Sequence, residues 1–406
     1  MKVSFKNVGI VKHGSIELDD ITVIAGQNGL GKSTIGKSIF CALNTFYKSG
    51  ENIREERFRQ IKSILLENAR TTSRNTLGFI TASVDKILSG FDETGTLIIP
   101  DGLMDLYENN SRKPIYNRIR ETLEVDSDSI LQTILERRLD AEFSGQITPV
   151  NHIRRKTSIN IEIDKENKLS VMKENKKQVV FSKSGDVNYH TIIIDDPYAL
   201  DHLSNTTDLM NDINRFSHRG ELLEKLVRDA DQDSVISHIL AKQSWEEINV
   251  LISAMCDGTL ERASSFEYTY SSYKYQQNLS LENLSTGLKN ILLIKTLIDK
   301  GYLNSRTILT LDEPEVHLHP EWQFMLARVL VLLPVVSNIK VLISTHSSDF
   351  LSAIDYYTRE SRMKLKRHFY LMEKDDAYAV TKDVTNNIDL LYGELNTPFL
   401  SIANKL

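Results

Sequence analysis

Residues 21–34 read ITVIAGQNGLGKST, and the rest of the chain is organised around them. Gly26, four intervening residues and then Gly31-Lys32-Ser33-Thr34 complete the G-x-x-x-x-G-K-[ST] phosphate-loop pattern. The flanks supply the mechanism. Ile21, Val23 and Ile24 make the apolar run of a buried strand, and Ile35, Ile39, Leu43 and Phe46 recur at helical spacing. Between them Gly26, Gly29 and Gly31, with Gln27, Asn28 and Leu30, form a loop whose N–H groups can turn inward around phosphate oxygens. The helix that follows aims its positive end at the same anion. Lys32 is placed to reach the β- and γ-phosphates, and the Ser33 hydroxyl to sit on Mg²⁺. A Gly-rich turn matching by chance would not have both the strand before and the amphipathic helix after. The stretch predicts a nucleotide-binding protein.

The chain has 406 residues, enough for one large domain or a few smaller ones, and is 41% hydrophobic and 26% charged, an ordinary globular balance. A net charge of −6 argues against a global basic field for nucleic acid, though not against a local patch. Cys41 and Cys256 have no metal or redox spacing and read as reduced core residues. The N-terminus reads as a strand, and no apolar run approaches the length of a membrane span. A soluble, cytoplasmic protein with no membrane partner is expected.

In chain order, residues 2–18 read as two strands with His13-Gly14 in the turn between them. Residues 51–145 are mostly helical in pattern, with Ile115, Ile119, Leu123, Ile130, Leu131, Ile134 and Leu135 on apolar faces. No heptad persists, which argues against a long coiled-coil arm. Alternation over 157–163, 168–172 and 178–182 predicts an antiparallel meander. An apolar strand, Thr191–Ile194, then ends on Asp195-Asp196-Pro197. Residues 199–257 are helical in pattern, with Trp245, Ile248, Leu251, Ile252 and Met255 on one face, and a polar, Tyr-rich segment covers 267–279.

The last third carries more chemistry. Leu288, Ile291, Leu292, Leu293, Ile294, Leu297 and Ile298 make a helix apolar nearly all round, and Ser285, Gly287 and Lys289 stand at its start. That helix end could receive an anion, or could simply be capped. Residues 307–313 (TILTLDE) are a strand delivering Asp312 and Glu313 at its C-terminal edge, where α/β sheets place ligand chemistry. Asp312 would hold Mg²⁺, and Glu313 would polarise an attacking water. Strand 340–344 ends at Thr345-His346-Ser347-Ser348, from which His346 could contact a γ-phosphate. His368–Met372 and Tyr378–Thr381 read as a closing hairpin; Glu373, Asp375 and Asp376 sit at its turn and read as solvated.

These four motifs in this order resemble the ABC-ATPase set: GQNGLGKST the Walker A, LSTGLK the signature, ILTLDEPEVHLHP the Walker B with its D-loop, and STHSSDFL the histidine switch. The wording DEPEVHLHP, and a signature with Lys289 after Ser285 and Gly287, look like the SMC/RecF/OLD-like branch. Within it the chain resembles the stand-alone ATPases of bacterial anti-phage operons, such as the Septu type. The resemblance covers 1–50 and 280–372, and the middle by layout only. It implies an α/β fold: a P-loop ABC-type head with a mixed sheet and antiparallel meander, plus a helical insertion. The expected segments are 1–50 (head, Walker A), 51–150 (helical insertion), 151–200 (meander), 201–280 (helical subdomain) and 281–406 (head, remaining motifs).

The resemblance further implies ATP and Mg²⁺, and a homodimer with ATP between subunits. Lys32, Ser33, Asp312, Glu313 and His346 would come from one chain, Ser285 and Gly287 from the other. Two departures stand out. No Q-loop is evident, since Gln146 precedes the meander and Asp195-Asp196 occupy the strand end where it belongs. The stretch after His346 is also too short for the nuclease domain of OLD proteins, so a separate nuclease effector is expected. RecF-type DNA maintenance is the alternative. A transporter subunit fits less well, because such subunits couple to membrane domains through a Q-loop. For DNA contact, Arg154, Arg155 and Lys156, and Arg359, Arg362, Lys364, Lys366 and Arg367, are candidate patches whose default reading is solvated surface.

Overall fold

In the computed structural model the described residues are 1–69, 73–149, 156–174, 178–204, 214–229, 245–264, 267–361 and 364–403, with side chains to 396. The chain forms two compact units, one from 1–44 with 136–406 and one from 45–135. The first is built on an eleven-stranded mixed sheet. Its parallel heart comprises β3 (Ile21–Ala25), β7 (His190–Ile194), β11 (Thr307–Asp312), β12 (Lys340–Thr345) and β13 (Arg367–Asp375), in spatial order β13-β3-β12-β11-β7. Every residue of β3 and β7 is buried, the continuous apolar texture of strands covered on both faces. Register is parallel throughout, Val23 opposite Ile343, Leu311 opposite Ile343 and Leu309 opposite Ile192. The C-terminal ends of these strands therefore share one edge, which brings Gly26, Asp195, Glu313 and His346 to the same side of the sheet.

Beyond β13 the sheet continues through β14 (Tyr378–Asp383), β2 (Val11–Glu17) and β1 (Lys2–Val8). The expected antiparallel meander follows as β4 (Thr157–Glu162), β5 (Lys168–Lys173) and β6 (Val179–Ser184). The first hairpin differs from expectation. Its turn is Gly9-Ile10, with Val8 opposite Val11, and His13-Gly14 lie inside β2 opposite Lys6 and Phe5. This register buries both Val11 and Ile16, and places the Thr381 side chain where Gly14 would carry a Cβ.

Segment 201–280 is not a separate helical subdomain among the described residues. α6 (His218–Val227) and α7 (Glu246–Met255) send Leu222, Leu226, Ile248 and Ile252 into the core that also holds Ile21, Leu309 and Ile343. The Tyr-rich stretch belongs to a second, three-stranded antiparallel sheet of β8 (Thr259–Ser264), β9 (Glu267–Ser271) and β10 (Leu279–Ser280). Around the main sheet lie α8 (Thr286–Asp299), α9 (Pro320–Ser337), α10 (Ser348–Glu360) and α11 (Asp389–Ala403). α9 is the one described helix long and apolar enough, by length and composition, to cross a membrane. Its Leu326, Ala327, Val329, Leu330 and Leu333 are instead buried in this core.

The second unit is helical. α1 (Lys32–Phe46) leads the chain into it and α5 (Ser127–Phe143) leads out, with α2 (Ser49–Glu67), α3 (Arg74–Thr94) and α4 (Asn109–Glu124) between. Its core is one apolar stripe of each helix, at steps of three and four residues or their sums: Ile61, Ile64 and Leu65; Ile80, Val84 and Ile87; Ile115, Ile119 and Leu123. Tyr107 is buried among them and donates its hydroxyl to Leu65 O at 3.1 Å. The unit ends at 135, inside α5, so the residues of that helix from 136 onward belong to the sheet-bearing unit and not to a helical segment reaching 150.

Candidate nucleotide-binding site

The phosphate loop leaves β3 at Gly26 and enters α1 at Lys32. Gly26, Gly29 and Gly31 all have positive φ, and a Cβ on Gly31 would meet the Ile10 side chain at 2.7 Å, so glycine is obligatory there. Gln27, Asn28 and Gly29 are exposed, and Leu30 and Thr34 are half-buried. Gln27 Nε2 donates to Glu394 Oε1 at 2.8 Å, from α11. Lys32 is buried and folded over its own loop, its Nζ donating to the carbonyls of Gly26 (2.9 Å) and Gln27 (3.2 Å). The same ammonium lies 3.7 Å from Glu313 Oε1.

The paired acids at the end of β11 meet this loop directly. Ser33 Oγ donates to Asp312 Oδ2 at 2.5 Å, and Ser344 Oγ on β12 donates to Asp312 Oδ1. Glu313 takes a left-handed conformation, φ +50°, and donates its N–H to Ser344 O at 2.9 Å. That turn aims its carboxylate at both Lys32 and His346, whose Nδ1 is 3.0 Å from Glu313 Oε1. Lys32, Ser33, Asp312, Glu313 and His346 thus form one contiguous set, gathered where three adjacent parallel strands end. A hydroxyl and a carboxylate converging within hydrogen-bond distance are hard oxygen donors of the kind Mg²⁺ takes, so Ser33 and Asp312 fit that ion.

The family model described as "AAA ATPase domain" matches residues 1–351. The chain belongs to that family. A search of curated proteins found no match. Among solved structures, the SMC head bound to the C-terminal winged-helix domain of ScpA aligns at 10% identity and TM-score 0.48, over 96% of this chain and 98% of that one. The SMC head domain from Thermotoga maritima aligns at 12% identity and TM-score 0.40, over 94% and 98%. An SMC head with an extended coiled coil, bound to the C-terminal domain of ScpA derived from Pyrococcus furiosus, aligns at 10% identity and TM-score 0.44, over 97% and 98%.

In this ATPase domain the helix end at Ser285 is a capped N-terminus. Ser285 is the N-cap of α8, accepting from Leu288 N at 3.4 Å. A Cβ on Gly287 would meet His317 O at 2.8 Å, so glycine lets α8 approach the turn after the paired acids. Among the described residues no hydrogen bond or ion pair joins Ser285 or Gly287 to residues 26–34. Lys289 is buried, paired with Asp201 Oδ1 at 2.5 Å, and stacked on Tyr198 at 4.9 Å.

Sequence reasoning missed a charged network behind the loop. Asp195, at the end of β7, lines the same cleft as Lys32, Ser33, Lys37 and Asp312. Its carboxylate is 3.0 Å from His218 Nε2 and 3.9 Å from Lys37 Nζ, and accepts two hydrogen bonds from Arg219 at 3.1 Å. His218 is buried, with Nδ1 2.7 Å from Glu142 Oε2. Burial works to raise the Asp195 pKa, but His218 and Arg219 outweigh it and hold the carboxyl well below the usual range. Burial likewise works to lower His218, and its two carboxylates reverse this, so its pKa is raised. Gln146 is exposed.

Of the candidate basic patches, Arg154, Arg155 and Arg362 lie outside the described residues. Lys156 pairs with Glu174, and Arg359 and Arg367 both pair with Asp355, at 2.8 and 3.0 Å. Lys364 and Lys366 are exposed. At the closing hairpin the strand runs further than expected: Glu373 and Asp375 lie within β13, opposite Val380 and Tyr378, half-buried and paired with Lys382 and Lys12 at 2.8 and 2.6 Å, and of the three acids only Asp376 is an exposed turn residue.

Proposed function

We propose that this ATPase domain is an ATP-hydrolysing switch that dimerises around the nucleotide and controls a nucleic-acid-directed effector, a separate nuclease, in the cytoplasm, with anti-phage defence as its setting. The observation that carries the chemistry is the contiguity of Lys32, Ser33, Asp312, Glu313 and His346 on one sheet edge. Lys32 exchanges its loop carbonyls for β- and γ-phosphate oxygens, and the loop N–H groups and α1 hold the remaining charge. Ser33 and Asp312 hold Mg²⁺, which when bound neutralises charge on the phosphates. Glu313 accepts the proton of the attacking water, and His346 beside it orients that carboxylate and faces the γ-phosphate. The capped start of α8, with Ser285 and Gly287, has no bond to its own chain's loop, which supports its donation to a second subunit. A ligand shared between chains stabilises their contact only while bound, so occupancy sets assembly and hydrolysis resets it.

The test is Glu313→Gln, whose amide cannot take a proton from water. It should bind ATP with wild-type affinity, turn over about a hundredfold more slowly, and accumulate as an ATP-dependent dimer in sedimentation velocity. A monomer at saturating ATP would sink the shared site. Affinity purification from cells challenged with phage should recover a nuclease. Recovery of replication or repair proteins instead would favour a RecF-type maintenance role.

A further inference from the structure

The turn after the paired acids holds a carboxyl that the hydrolytic arrangement does not use. Glu315 is 3% exposed, deep enough that an ionised side chain needs a reason to be there. Its Oε1 accepts from Thr345 Oγ1 at 2.5 Å, while its Oε2 is buried without a hydrogen-bond partner. Burial pushes its pKa up, and the Thr345 bond offsets this only in part. A leucine or methionine would fill the space without that penalty, so packing does not account for a carboxylate here.

Its contacts point elsewhere. Thr345 is wholly buried, and its Oγ1 also accepts from Ser347 N at 3.0 Å. Ser347 then caps α10, accepting from Phe350 N at 3.2 Å. Glu315 is thus bonded to the residue before His346 and, through it, to the residue after. Two positions upstream, Glu313 N bonds Ser344 O at 2.9 Å, so the turn grips the end of β12 at two points. The same turn receives α8, since Asn290 Nδ2 donates to Pro314 O at 2.8 Å.

We propose that Glu315 is a positioning residue for hydrolysis: through Thr345 it fixes the backbone on both sides of His346, and so holds His346 against Glu313. It touches neither nucleotide nor water. This inference rests on the hydrolytic reading of the site given above.

Steady-state ATP hydrolysis by the full chain tests it. Glu315→Leu and Thr345→Val each remove the bond and should lower kcat about tenfold or more, with KM within about twofold. Glu315→Gln, whose amide oxygen can still accept from Thr345, should recover activity to within about threefold of wild type. In a Glu313→Gln background, Glu315→Leu should cost nothing further. Unchanged kcat in Glu315→Leu, or an equal loss in Glu315→Gln, would overturn the proposal, as would ATP affinity and Tm falling in step with kcat. If Glu315→Leu does not fold, the pair Thr345→Val and Thr345→Ser makes the same comparison, with only serine expected to retain turnover. A wild type that binds ATP without hydrolysing it would remove the underlying reading together with this one. A hydrolysing wild type with an unaffected Glu315→Leu removes this one alone.

Discussion

Lys32 gives two of its donors to its own loop and lies 3.7 Å from Glu313, so a triphosphate must displace two carbonyls before the ammonium is available. Lys32→Ala removes the cation that compensates the phosphate charge, and ATP affinity should fall at least about tenfold in titration calorimetry. Wild-type affinity would remove the phosphate-loop assignment. Behind the loop, His218 is enclosed by Glu142 and Asp195, with Lys37 and Arg219 on the far side of those carboxylates. Its raised pKa makes the imidazolium a source of stability that is complete below the free value of about 6.5 and lost as pH rises through the folded value. The depressed Asp195 contributes above its free value of about 3.9 and fails only on strong acidification. Thermal melts of wild type and His218→Gln should accordingly show a Tm gap that narrows as pH climbs above 6.5. A gap independent of pH would mean a neutral imidazole. Lys32, Ser33, Asp312, Glu313 and His346 were legible in the sequence because each sits at a fixed offset from a strand end. Glu142, His218 and Glu315 were not, because what defines them is a partner far away in the chain, which leaves no spacing to read.

α8 shows how an element can be read from composition alone. Its residues are apolar nearly all round, and Leu292, Leu293 and Leu297 are fully buried. Leu293→Ala removes about three methylenes' worth of packing and should cost about 2–5 kcal/mol in urea denaturation, with the slope of the transition unchanged. A loss under about 1 kcal/mol would mean that the site relaxes around the deletion. The parallel strands were equally plain, being solid apolar runs ended by charged or polar residues. Less regular elements were harder. β9 buries Thr269 and Tyr270 side by side, a pattern with no alternation to mark it as a strand. The first hairpin went wrong because His13-Gly14 resembles a turn by residue type, whereas the packing of Val11 and Ile16 decided the register.

At the scale of the molecule the prediction is complementation. Ser285→Arg puts a bulky cation at the start of α8 and leaves the phosphate loop intact, so the variant should bind ATP yet hydrolyse it poorly. Lys32→Ala should do neither. A two-fold heterodimer of the two variants gathers both lesions into one site and leaves the other whole. Mixing them should restore a measurable fraction of wild-type ATPase activity, and full activity of Ser285→Arg alone would show a site completed within one chain. The layout of the sheet also has a consequence for biosynthesis. β3 leaves the ribosome well before the two strands it pairs with, β12 and β13, each more than three hundred residues downstream. Through most of translation both its edges lie open, an invitation to wrong pairing, while the unit at 45–135 closes on local contacts. The loop between β3 and α1 has no sheet to stand on until β12 and β13 are made. On the proposed function, ATP therefore gives no shelter to the chain before those strands are in place.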